Sequence, residues 1–309
     1  MKKKSPYLFA YAAFFILAAG VLTTCKKDEV IPDNTPPYYD EISDLLIENY
    51  IQRIYIDLIG REPLDVEMAS ERVFLKANDL SIQSRRDIVV KLQTDTNFIE
   101  GDSSYFHAYY NRMYNMTKVR MVEGASLAEI NEILGPIENQ ARLDSITGNL
   151  VGYAEAMLIV NKLYKLIGAG ILYRDSVIDL KGLHTIMVDN AVYDRINMNT
   201  FNFINATFDN LLFRFPTEQE FLTGFFMVED NQPGLLFGES GQDKDEYIDI
   251  LTNSREFYEG QIIWEYRTLL ARDPTTQETE NHMQTFFYDH NLCKVQEEII
   301  ISDEYAHFD

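Results

Sequence analysis

The chain reads as all-α: helical pairs joined at Arg-x-Pro-x-x-x-Glu corners, forming one compact multi-helix domain. Three observations predict this. The pattern aromatic-x-x-Leu-aliphatic-x-Arg-x-Pro-x-x-x-Glu occurs three times, and its apolar positions follow the helical period. No long period-two alternation marks a strand anywhere. Over 309 residues the composition is globular, 46% hydrophobic and 25% charged, which is enough for a sizeable core. Charge narrows the function classes. With 27 Lys+Arg against 49 Asp+Glu the net charge is -22, and so acidic a surface repels phosphate backbones. No nucleic-acid partner is expected. Two cysteines and no CxxC exclude a disulfide scaffold and the usual zinc and haem attachments.

Residues 1–24 read as a leader. Lys2, Lys3 and Lys4 form its positive start, and Tyr7 to Leu22 is an apolar run shorter than a bilayer span. It ends in Leu22-Thr23-Thr24-Cys25, which resembles the lipobox of bacterial lipoproteins. That resemblance makes Cys25 the lipid attachment site, carrying acyl chains such as palmitate, and makes the membrane a partner. An ordinary signal peptide with an incidental cysteine is the plainer alternative. The following Lys26-Lys27-Asp28-Glu29 resembles the surface-export signal of Bacteroidetes-type outer-membrane lipoproteins. The implied location is the outer membrane, lipid-anchored at the cell surface, with the periplasmic face as alternative. Pro32, Pro36 and Pro37 make residues 25–39 an extended tether. Cleavage removes three lysines and no acid, which takes the charge from -22 to -25. Cys293 then stays as the unlipidated cysteine, expected as a packed thiol.

Residues 40–102 hold the first copy of the pattern, with Tyr55, Leu58, Ile59, Arg61, Pro63 and Glu67. Residues 204–309 hold the second, with Phe208, Arg214, Pro216, Thr217 and Glu220, and the third, with Tyr266, Arg272, Pro274, Thr275 and Glu278. Each is followed by a similar ending: Asp95-Thr-Asn-Phe98, Ser254-Arg-Glu-Phe257 and Ser302-Asp-Glu-Tyr305. Proline pushes the residue before it out of the α region, so the first helix of each pair stops near its Arg. Thr217 with Glu220, and Thr275 with Glu278, have capping-box spacing. Leu64 replaces that Thr in the first copy, so its corner caps differently, for instance through Asp65. The three arginines fall in the last helical turn, where a cation suits the carbonyl end, and can reach the Glu of their own corner. They read as structural rather than ligand-binding.

The first copy, Tyr50 to Pro63, resembles the opening of an uncharacterised helical domain found beside c-type cytochrome domains in planctomycete proteins. Arg86 to Thr94 echoes that domain's later Arg-x-x-Leu-Val-x-x-Leu-Leu-x-Ser. The third copy is similar to a short bacterial surface-protein repeat. These resemblances imply helical architecture and no particular activity.

Residues 103–203 read as a helical insert. Ser126 and Glu129 form another capping box, and Met113, Met116 and Met121 with Tyr109, Tyr110 and Tyr114 read as core. Leu150 to Ile167, carrying Lys162 and Lys165, is expected as a buried core helix rather than a membrane span. Asp144-Ser145-Ile146 and Asp175-Ser176-Val177 resemble the O-glycosylation sequon of Bacteroidetes.

No catalytic set emerges. Glu278 and His282 stand one turn apart, but no HExxH, GxSxG, P-loop or GxGxxG exists, and no cofactor or metal is expected. Asp243, Asp245, Glu246 and Asp249 follow the Gly-rich stretch from Gly234 to Gly241. They read as an acidic helix start rather than calcium ligands. The expected function is a surface-anchored, non-enzymatic accessory or binding lipoprotein beside an outer-membrane β-barrel assembly. The alternatives are a glycan-binding surface lipoprotein, which the single Trp264 in a packing helix weakens, and an enzyme with an acidic cleft.

Overall fold

A computed structural model describes residues 42–308. The leader, Cys25 and the tether lie outside the described residues. The described part is all-α, with fifteen helices and one two-stranded hairpin. In chain order the helices are α1 (Asp44–Ile59), α2 (Asp65–Ala77), α3 (Ile82–Thr94), α4 (Tyr105–Val122), α5 (Leu127–Thr147), α6 (Leu150–Arg174), α7 (Leu180–Val188), α8 (Ala191–Asn197), α9 (Thr200–Leu212) and α10 (Glu218–Asp230). Then come β1 (Gly234–Leu236), β2 (Glu239–Gly241), α11 (Lys244–Asn253), α12 (Arg255–Leu270), α13 (Thr276–Asp289), α14 (Leu292–Ile300) and α15 (Asp303–Ala306).

The Gly-rich stretch is therefore a short antiparallel hairpin, pairing Gly234 with Gly241 and Leu236 with Glu239. Phe237 and Gly238 both have positive φ, as a tight two-residue hairpin turn demands. Asp243 accepts the Glu246 amide at 2.9 Å, so it caps α11.

One core runs through all three copies and the insert. The motif's aromatic and Leu positions supply much of it: Tyr55, Phe208 and Tyr266, with Leu58, Leu211 and Leu269, are buried. Copies distant in sequence are packed together. Tyr50 of α1 donates to the Ile300 carbonyl at 3.2 Å, Arg53 to that of Tyr305 at 2.9 Å, and Tyr305 to Asp57 at 2.8 Å. Gln93 of α3 donates to the Cys293 carbonyl at 3.1 Å. The C-terminal helices thus complete the core that the first copy opens. Arg120 of α4 ties the insert to the second copy. It donates to the Asp209 and Asn210 carbonyls at the end of α9, at 3.0 and 3.1 Å.

Two expectations need correction. The ending Asp95 to Phe98 is not equivalent to the other two: Phe98 is 83% exposed, whereas Phe257 and Tyr305 are fully buried. In the first copy the next helix starts nine residues after Asp95, at Ser104, whose hydroxyl accepts the His107 amide at 3.1 Å. Nor is α6 a buried core helix throughout, for only 33% of its most apolar window is buried. The helix packs on α4, α5, α7 and α8, and its first turns from Leu150 to Glu155 are mostly exposed.

Candidate functional site

The three corners share one geometry. Each first helix ends in a left-handed residue, Gly60, Phe213 or Ala271, with φ of 78°, 56° and 54°. Arg61, Arg214 and Arg272 therefore stand just past the last turn rather than in it. The turn throws each guanidinium back across its own corner. Arg61 reaches both carboxylate oxygens of Glu67 at 2.7 and 2.8 Å. Arg214 does the same to Glu220 at 2.8 and 2.7 Å, and Arg272 to Glu278 at 3.0 and 2.7 Å. Such fork-to-fork pairing fixes orientation as well as charge.

The same carboxylates accept the first amide after the proline: Leu64 at 2.7 Å, Thr217 at 2.7 Å and Thr275 at 2.6 Å. Thr217 and Thr275 return the bond to the Glu amides at 3.3 and 3.2 Å. Leu64 has no side-chain acceptor, so the first corner is capped by Glu67 alone and not by Asp65. Pro63, Pro216 and Pro274 lie between the helices, where no amide donor is needed.

Each guanidinium also meets a second carboxylate through Nε: Asp102 at 2.8 Å, Glu256 at 2.6 Å and Glu304 at 2.6 Å. Glu256 and Glu304 come from the repeated endings, so in the second and third copies the two halves of the repeat meet at the arginine. The guanidinium carbon sits 5.7, 5.1 and 5.1 Å over the ring of Tyr55, Phe208 and Tyr266, the motif's own aromatic. Arg214 holds the Glu220 carboxyl down at about 2, and Arg272 holds Glu278 at about 2. At Glu67, burial pushes upward but the bonds from Arg61, Tyr105 and the Leu64 amide outweigh it. The tyrosine hydroxyls continue the pattern. Tyr55 donates to Glu71 at 3.3 Å, and Tyr266 meets His282 Nε2 at 3.1 Å. Phe208 has no hydroxyl, and the matching position sixteen residues on is Gly224.

A buried polar cluster that the sequence did not single out lies in the core. Glu265 of α12 is 2% exposed and accepts from Gln296 at 3.1 Å. Gln296 in turn accepts from Tyr109 at 2.6 Å, and Tyr109 lies 3.3 Å from the Cys293 sulfur. Burial pushes Glu265 up to about 7 and pulls the neighbouring His184 down to about 4. Both line a small cavity of about 10 Å³, room for one water. Trp264, against whose ring Arg120 lies at 4.6 Å, forms another wall. Burial likewise raises the Cys293 thiol, which suits a packed cysteine.

A groove of about 670 Å³ runs beside the β-hairpin and is lined by Glu239, Glu246, Asp249, Arg255 and Glu256. Most of its carboxylates are already engaged. Glu246 accepts the Gln242 amide at 2.7 Å, Asp249 pairs with Lys181 at 2.7 Å, and Glu256 pairs with Arg214. Asp245 pairs with Lys162 at 2.8 Å. His282 Nδ1 lies 3.0 Å from Glu298 while Glu278 holds Arg272, so the two do not converge. Among the described residues no three His, Cys, Asp or Glu side chains cluster to hold a metal. The chain matches no family model, and neither a curated protein nor a solved structure matches it.

Proposed function

We propose that the chain is a lipid-anchored accessory or binding subunit at the bacterial outer membrane, working without chemistry of its own beside a β-barrel transport or secretion assembly. The observation that carries this reading is how the motif uses its charges. Every Arg and Glu of the three corners bonds within its own elbow, so the repeated residues build a scaffold and leave recognition to other surfaces. The address rests on the leader, the Leu22-Thr23-Thr24-Cys25 sequence and the charged tether.

The test is affinity purification of the native chain from detergent-solubilised membranes, with acyl labelling of wild type and Cys25→Ser. Co-purification of a β-barrel protein and loss of label in the variant are expected. Recovery of the chain alone, or saturable glycan binding with no barrel partner, overturns the reading.

A further inference from the structure

The α5–α6 hairpin carries an apolar end that the rest of the fold leaves uncovered. Leu143, Ile146, Leu150 and Val151 are 53, 75, 72 and 69% exposed. From Leu143 to Ala154 the one charged residue is Asp144. It is buried and accepts from Asn149 Nδ2 at 3.0 Å, so its charge serves the turn. The turn is built firmly. Gly148 closes α5 with φ 78°, the Asn149 amide donates to the Asp144 carbonyl at 2.9 Å, and Asn149 caps α6 through the Gly152 amide at 3.3 Å. Two helix ends therefore present these side chains in fixed positions.

We infer that this tip inserts into the outer part of a lipid bilayer, a second membrane contact beside the acylated Cys25; the inference rests on the lipid-anchored reading above. Dimensions support it. Exposed charges return at Arg142 on one helix and Glu155 on the other, each six or seven residues from the Gly148 turn. At 1.5 Å per residue that ring lies about 9–10 Å from the tip, close to the depth at which interfacial helices bury their apolar part. Tyr153, 39% exposed, sits just inside the ring, the level at which tyrosine meets headgroups.

The distribution of apolar groups also points to lipid. At the tip, Leu143 and Ile146 of α5 and Leu150, Val151 and Tyr153 of α6 are all exposed, so apolar side chains come from both helices around the turn. A partner helix or groove asks for one stripe, whereas hydrocarbon accepts apolar groups on all sides. Charge disfavours a second copy, since two anchored chains of net charge -25, after loss of three lysines from -22, would have to meet. With no Lys or Arg on the tip itself, the attraction is to hydrocarbon beneath zwitterionic headgroups rather than to anionic lipid.

The test uses the full chain in vesicles of phosphatidylcholine and phosphatidylethanolamine. An environment-sensitive fluorophore is placed on Val151→Cys, and separately on Val73→Cys as an exposed control on α2. Lipids carry a nitroxide at a shallow acyl position. The label at 151 should shift to the blue and be quenched several-fold more than the label at 73. Leu150→Asp should bring quenching at 151 down to the control level. An unquenched 151 label on a chain that still floats with vesicles overturns the inference. So does a 151 label shielded by a second copy or another protein, or a glycan on Ser145 of the native chain. Failure to float with acyl groups absent from Cys25 sinks the anchor reading instead. The same label with vesicles added in excess then still decides the tip.

Discussion

Replacing Glu220 by Gln keeps the shape of the second corner and removes its charge. Arg214, with the Thr217 amide, holds the Glu220 carboxyl at about 2, against 4.5 for the free group. At about 1.4 kcal/mol per unit this corresponds to roughly 3 kcal/mol of linked stability at neutral pH. Arg214 is a third exposed, so solvent screening trims the figure to about 1–2 kcal/mol. In a chain of this size that is a loss of about 2–4 °C in Tm. The sign with pH is fixed. A depressed carboxyl stabilises above its unfolded value of 4.5, and the contribution fades as pH falls toward 2. Thermal and urea melts followed by circular dichroism, at pH 7 and at stepped acidic values, measure the difference between Glu220→Gln and wild type. The gap should be widest at pH 7 and close on acidification. Equal stability at pH 7, with binding to membranes or partners lost, would refute the argument, because the charge would then be meeting a ligand rather than the elbow.

Other expectations follow from the same geometry. Glu265→Gln should raise stability by about 2–3 kcal/mol above pH 7 and leave it nearly unchanged below 4.5, since a buried acid with a raised pKa stabilises only while protonated; denaturant melts at pH 4.5 and 8 check this. Ala271→Gly should add about 0.5–1 kcal/mol by relieving a left-handed residue that has a Cβ. The same change at Phe213 should not, because its ring lies 3.9 Å from the Arg120 guanidinium and would be lost; urea midpoints separate the two cases. Gly260→Ala should cost about 2–3 kcal/mol or block folding, as its Cβ would fall 2.4 Å from the Leu211 carbonyl oxygen where α9 and α12 cross; soluble yield and Tm read this.

The corners were legible because everything that makes them is local. Arg, Pro and Glu lie within seven residues, and chain stereochemistry with capping converts that spacing directly into a turn. The first copy's ending was not legible. Asp95 to Phe98 carries the right residue types, but the helix that follows is capped nine residues later, at Ser104, and Phe98 is left in solvent. The Glu265 cluster was equally hidden, since Tyr109, Glu265 and Gln296 are far apart in sequence and none belongs to a motif. Hydropathy misplaced α6. Its lysines suggested a core helix, yet apolar composition does not say whether a neighbour covers it.

By itself the sequence determined the helical class, the three elbows and the acidic, globular character of the chain. Period, proline and capping act over a single turn, and their effect needs no knowledge of distant residues. Tertiary structure alone decided that the C-terminal helices dock on α1 and α3, and that the Glu265 carboxyl is buried. It also decided that one apolar hairpin end stays bare. Those facts depend on which surfaces meet across hundreds of residues, and burial is a property of the assembled fold rather than of any segment.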